Sequence, residues 1–131
     1  MDFKAISKAG YTTVVNLTPH ISQDALPNEG QIVATNFMSY INIPVLYEDP
    51  RVDQLQMFFA VMDALADQKV WVHCVRNNRV SAFLYLYLRY HLKYSEERAR
   101  SPIMERWEMD ETWLEFMEES IEAIALQRCV A

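Results

Sequence analysis

A chain of 131 residues, 51% hydrophobic and 12% aromatic, has the length of one domain and the material for a conventional core. Its formal net charge of −6 argues against a general nucleic-acid binder and against a polybasic membrane-surface protein, though not against a local site for an anion. The two cysteines, one of them Cys129 beside the C-terminus, suggest no disulfide framework, and no apolar stretch of signal-peptide length follows Met1-Asp2-Phe3-Lys4, so the chain reads as reduced and cytoplasmic.

Asp2 is placed to cap a first helix through Lys8, and Gly10 to stop it. Thr12-Thr13-Val14-Val15-Asn16-Leu17, bounded by Pro19, reads as a strand. His20 to Glu29, with Pro27, Asn28 and Gly30 nearby, reads as a loop holding at most one helical turn, and a second strand is expected near Met38 to Val45. From Val52 to Ala66 apolar residues recur at helical spacing, with Leu55, Phe58, Phe59, Met62 and Leu65 on one side. Lys69 to His73 is a short, nearly all-apolar strand of the kind covered on both faces. The helix after it carries a stripe of Leu84, Leu88 and Leu92, widened by Phe83, Tyr87, Tyr90 and Tyr94, and is expected at the centre of the fold; it is too short and too soon charged to cross a membrane. Ser95 is a candidate cap for a helix through Arg98, and Pro102 interrupts or restarts it. A last helix from about Asp110 to Leu126 is expected to bury Trp113, Phe116, Met117, Ile121 and Ile124 and to expose Glu115, Glu118, Glu119 and Glu122. Strands alternating with helices give an α/β domain with a mostly parallel central sheet, flanked by helices.

The chemistry concentrates in Val70-Trp71-Val72-His73-Cys74-Val75-Arg76-Asn77-Asn78-Arg79-Val80-Ser81. A strand runs into a thiol, a short polar loop and a helix, which places Cys74 over backbone N–H groups that favour negative charge, beside the guanidinium groups of Arg76 and Arg79. A thiol so placed is expected to act as a nucleophile. Asn77 and Asn78 tolerate the left-handed backbone that such a turn needs. No metal and no cofactor are expected: His20, His73 and His91 are scattered, and no nucleotide loop or dinucleotide fingerprint is present.

This stretch resembles the signature of the cysteine-dependent protein tyrosine and dual-specificity phosphatases, in which strand-His-Cys is followed by five residues, an arginine and a Ser or Thr. Here four residues, Val75 to Asn78, separate Cys74 from Arg79; aligned without a gap, Val80 falls on the arginine position and Ser81 on the hydroxyl. A loop of this length is seen in rhodanese-type sulfurtransferases, but His73 belongs to the phosphatase signature. Gly10 to Leu17 and Tyr40-Ile41-Asn42-Ile43-Pro44-Val45 also look like a small bacterial branch of phosphatase-like proteins.

The resemblance implies a three-layer phosphatase-like domain over residues 1–131 that hydrolyses a phosphate monoester through a cysteinyl-phosphate intermediate. It implies Cys74 as nucleophile, Arg79 as a bidentate anion clamp, and Asp49 as general acid, with Asp53 and then Glu48 as successors. His73 is expected to brace the loop, and Val75, Arg76, Asn77, Asn78 and Val80 to surround the anion. Ser81 is expected either to donate to the thiolate or to serve as an ordinary first-turn serine. The substrate would be a phosphorylated protein or small molecule, not nucleic acid or membrane; the oligomeric state is not read. Two alternatives stay open: a sulfurtransferase carrying a persulfide on Cys74, and an inactive phosphate-binding module.

Overall fold

Thr13–Asn16 forms β1, and all four of its residues are buried, as the β-branched run requires of a central strand. The computed structural model describes residues 1–130, with side chains through residue 127; the side chain of Cys129 falls outside the described residues. β2 (Ser39–Asn42) and β3 (Val70–His73) flank β1 in the order β2-β1-β3, and both pair with it in parallel, with Val15 opposite Ile41 on one side and Val72 on the other. The sheet is thus wholly parallel. β2 ends before Pro44, which has no N–H to continue a ladder, although the amides of Ile43 and Val45 still bond to the carbonyls of Asn16 and Leu17.

Alternate residues of the strands face two cores. Val14 packs with Phe3 and Ile6 of α1 (Phe3–Lys8), Val33 of α2 (Glu29–Thr35) and Met38, and Trp71 and Tyr40 close the margin. Val15 faces the larger core, formed with α3 (Val52–Ala64), α4 (Asn78–Leu86) and α7 (Glu111–Val130). Helices on both faces of a parallel sheet make the three-layer α/β arrangement. Between α4 and α7 lie a π-helical turn, Tyr87–His91, and the short helices α5 (Glu96–Ala99) and α6 (Pro102–Arg106), capped by the hydroxyls of Ser95 and Ser101. No helix among the described residues is long and apolar enough to cross a membrane.

Three expectations need correction. α2 begins at Glu29, the last residue of the stretch that reads as a loop, and runs to Thr35 through residues for which no element is expected. Gly30, a poor helix residue, is there because the Tyr40 ring lies against its backbone: a Cβ would stand 2.9 Å from Tyr40 Cδ2. The buried residues of α4 include Ala82, Phe83, Tyr85 and Leu86, with Tyr87 just after it, while Leu84 and Leu88 are only half-buried and Leu92 is 41% exposed. The π-helical turn accounts for the last of these: Leu92 N–H donates to the Tyr87 carbonyl, and the extra residue rotates Leu92 off the stripe. In α7, Trp113 and Phe116 are buried as expected, but Met117, Ile121 and Ile124 are half-buried, and Ser120 is closed off as completely as Trp113.

Candidate active site

In a parallel sheet the strands' carboxyl ends open onto a common crevice, bounded by the loops that leave them. Here those loops enclose a cavity of about 530 Å³. The loop after β1 contributes Pro19, Ile21, Ser22 and Asp24; the loop after β2 contributes Leu46, Tyr47 and Glu48; the segment after β3 contributes Cys74, Val75, Arg76, Asn78 and Arg79.

Cys74 is free and buried, 7% exposed, one residue beyond β3. The chain turns from it into α4 through Asn77, whose φ of 64° is left-handed; of the two asparagines read as tolerant, Asn77 takes that conformation and Asn78 opens the helix. The Asn77 carbonyl then accepts from Ser81 N–H at 2.9 Å. Among the described residues, the amides of Val75 through Val80 have no acceptor in the protein. Unpartnered N–H groups in succession, the last of them in the first turn of α4, are the kind of donors from which an anion-binding turn is built.

Arg79 is buried, 8% exposed, and its Nη1 donates to the Val45 carbonyl at 2.8 Å. That bond uses one of five guanidinium donors and fixes the group against the cavity wall, leaving the remainder for an anion. Arg76 is exposed and lines the same cavity.

Other expected site residues sit elsewhere. The Ser81 hydroxyl donates to the Asn78 carbonyl at 2.8 Å and is not in the cavity lining, so its single proton is used within the helix and the thiolate-donor reading does not hold in this geometry. His73 does not bond to the loop through Nε2; that nitrogen meets Glu29 Oε2 of α2 at 2.7 Å, both side chains buried. Asn77 and Val80 do not line the cavity. Neither Asp49 nor Asp53 lines the cavity. Asp49 closes the turn from Leu46 through its amide, and Asp53 is exposed, held below the usual carboxylate range by its hydrogen bonds from Arg51. The carboxylates in the lining are Glu48, third in the sequence reading, and Asp24, which that reading missed.

Tyr47 fixes the turn that carries Glu48. Its carbonyl accepts from the fully buried Trp113 Nε1–H at 2.7 Å, and its hydroxyl accepts from Trp107 Nε1–H at 3.0 Å. The three rings pack with centroids 5.2–6.2 Å apart.

No protein-family model and no curated protein sequence matches the chain. Solved structures do. A DUF442 protein from Shewanella putrefaciens CN-32, described as a candidate phosphatase, is 34% identical, with a TM-score of 0.82 over 93% of this chain and 80% of that one. The chain belongs to this DUF442 family. Kinase associated phosphatase shares the fold at 13% identity and a TM-score of 0.78, over 95% of this chain and 76% of that one. Tk-PTP in its active form does so at 17% identity and a TM-score of 0.73, over 92% and 84%. The fold neighbours of this DUF442 chain are therefore phosphatases, and its Cys74 loop stands at the carboxyl end of the sheet that they have in common.

Proposed function

We propose that the protein is a cysteine-dependent phosphatase that hydrolyses a phosphate monoester of a small molecule or protein through a cysteinyl-phosphate intermediate. The observation that carries this reading is that Cys74 and the buried Arg79 line one cavity, beside a turn in which the amides of Val75 through Val80 have no acceptor in the protein. A phosphate oxyanion requires that combination of donors, and a phosphoryl acceptor beside it completes a displacement site.

In this mechanism the phosphate's non-bridging oxygens accept from the loop amides and from Arg79, and the thiolate of Cys74 attacks phosphorus. The S–P bond forms as the ester P–O bond breaks, and the departing oxygen takes a proton from a cavity carboxylic acid. Glu48 is the leading acid because its turn is held by Tyr47, Trp107 and Trp113; Asp24 is second. Water then attacks the cysteinyl phosphate, giving a proton back to that carboxylate, releasing inorganic phosphate and restoring the thiolate.

Hydrolysis of 4-nitrophenyl phosphate and sulfur transfer from thiosulfate to cyanide, measured side by side, test the assignment. Phosphate release that vanishes in Cys74→Ser, with no thiocyanate formed, is the expected result. Thiocyanate formation dependent on Cys74 would make the protein a sulfurtransferase, and neither activity with retained vanadate binding would make it a phosphate-recognition module.

A further inference from the structure

A second cavity, of about 470 Å³, adjoins the first and shares Arg76 and Asn78 with it; Arg106, Trp107 and Glu108 line its far part. The charge arrangement around it differs from the rest of the surface. Arg51 is paired with Asp53 at 3.1 Å, Arg89 and Arg100 with Glu96 at 3.6 and 3.5 Å, and Arg98 lies 4.3 Å over the Tyr94 ring. Among the described residues, Arg76 and Arg106 make neither an ion pair nor a hydrogen bond to a protein acceptor, although acidic residues outnumber basic ones 18 to 12. Glu108, in the same cavity, makes no ion pair with either. Among the described residues four arginines have no carboxylate partner; Arg98 lies over Tyr94, and the other three line the two adjoining cavities, Arg79 in the first, Arg76 at the junction and Arg106 in the second.

We propose that the second cavity is an anion subsite, and that the substrate is a small soluble bisphosphate whose reacting phosphate lies over Cys74 and whose second phosphate is held by Arg106 and Arg76. This rests on the phosphatase reading of the first cavity. Trp107 supports it: with its indole N–H committed to Tyr47, its ring is a fixed apolar wall suited to the carbon linker between two phosphates. A net charge of −6 disfavours approach to an anionic lipid surface, which makes a soluble ligand the fitting occupant.

The test uses linear alkanediol bisphosphates of increasing length against the matching monophosphates. Binding is measured by calorimetry on Cys74→Ser, so that it does not depend on turnover, and hydrolysis is measured on the wild type. At one or two linker lengths the bisphosphate is expected to bind ~10-fold or more tighter than its monophosphate, the effect of one added charge-assisted contact. Arg106→Met is expected to abolish that gain and to leave monophosphate binding and 4-nitrophenyl phosphate hydrolysis unchanged. A gain absent at every length, or one that survives Arg106→Met, overturns the subsite. Tighter binding of a bisphosphate headgroup on phosphatidylcholine vesicles than of the free compound overturns the soluble assignment. Failure of the wild type to hydrolyse any monophosphate counts against the phosphatase reading alone, because the binding arm still reports on Arg106.

Discussion

A general acid has to reach the oxygen that departs from phosphorus, and at this cavity the carboxylates in reach belong to Glu48 and Asp24. Proton donation matters most when the leaving oxygen is strongly basic, so its loss sorts substrates by leaving group. Glu48→Gln is expected to lower kcat/KM for alkyl phosphates by ~10²–10⁴ while sparing 4-nitrophenyl phosphate, with Asp24→Asn and Asp49→Asn much milder. A leaving-group series on the three variants checks this, and a selective loss in Asp49→Asn would return the role to that residue. Cys74, Arg76 and Arg79 could be found in the sequence because one short loop carries them all. Asp24 could not, since it enters the cavity from the loop after β1, and only the rule that ligands bind at the carboxyl ends of parallel strands would have pointed there. Ser81 and His73 show a different limit: their positions were legible, but their hydrogen-bond partners, Asn78 and Glu29, depend on geometry that spacing does not encode.

At the scale of elements, the turn from Leu46 to Asp49 owes its position to the helices packed over it. Trp113 sits within the core and donates to the Tyr47 carbonyl, whereas the half-buried Trp107 donates to the Tyr47 hydroxyl at the margin. Trp113→Phe removes buried volume and strands a carbonyl, and is expected to cost ~2–4 kcal/mol; Trp107→Phe removes one ordinary hydrogen bond and should cost ~1 kcal/mol. Urea midpoints at unchanged m-value measure both, and equal losses would mean that Trp113 does not anchor the turn. The strands and the long helices were readable from periodicity because each buries a regular face. α2 is hidden by Gly30, and the stripe carried on to Leu92 fails at its end: pattern reading assumes a constant 3.6-residue turn, and the chain departs from it at Tyr87–His91.

The molecule as a whole is tied together on that same stretch. Tyr87 donates to Asp63 of α3 at 2.8 Å, and Asp63 also meets His91 at 2.8 Å, while Tyr85 donates to Glu96 of α5 at 2.5 Å. Burial, and then the hydrogen bond to Asp63, pushes the Tyr87 phenol up to about 12; burial, and then the bond to Glu96, raises Tyr85 as well. A phenol held neutral in the fold but free to ionise near 10 when unfolded contributes stability that is fully present below pH ~10 and is lost as pH rises through the folded value. Unfolding free energy is therefore expected to fall between about pH 10 and 12, with Tyr87 and Tyr85 each contributing part of the ~1.4 kcal/mol per pH unit that one proton carries. Urea unfolding from pH 9 to 12 on the wild type, Tyr87→Phe and Tyr85→Phe isolates those parts from the lysines, which titrate in all three. Each Phe variant is expected to be less stable at pH 9, where the hydrogen bond is lost, and to show a shallower decline above pH 10. A decline as steep as the wild type's in both variants would locate the alkaline sensitivity outside the contacts that join α4 and its π-helical turn to α3 and α5.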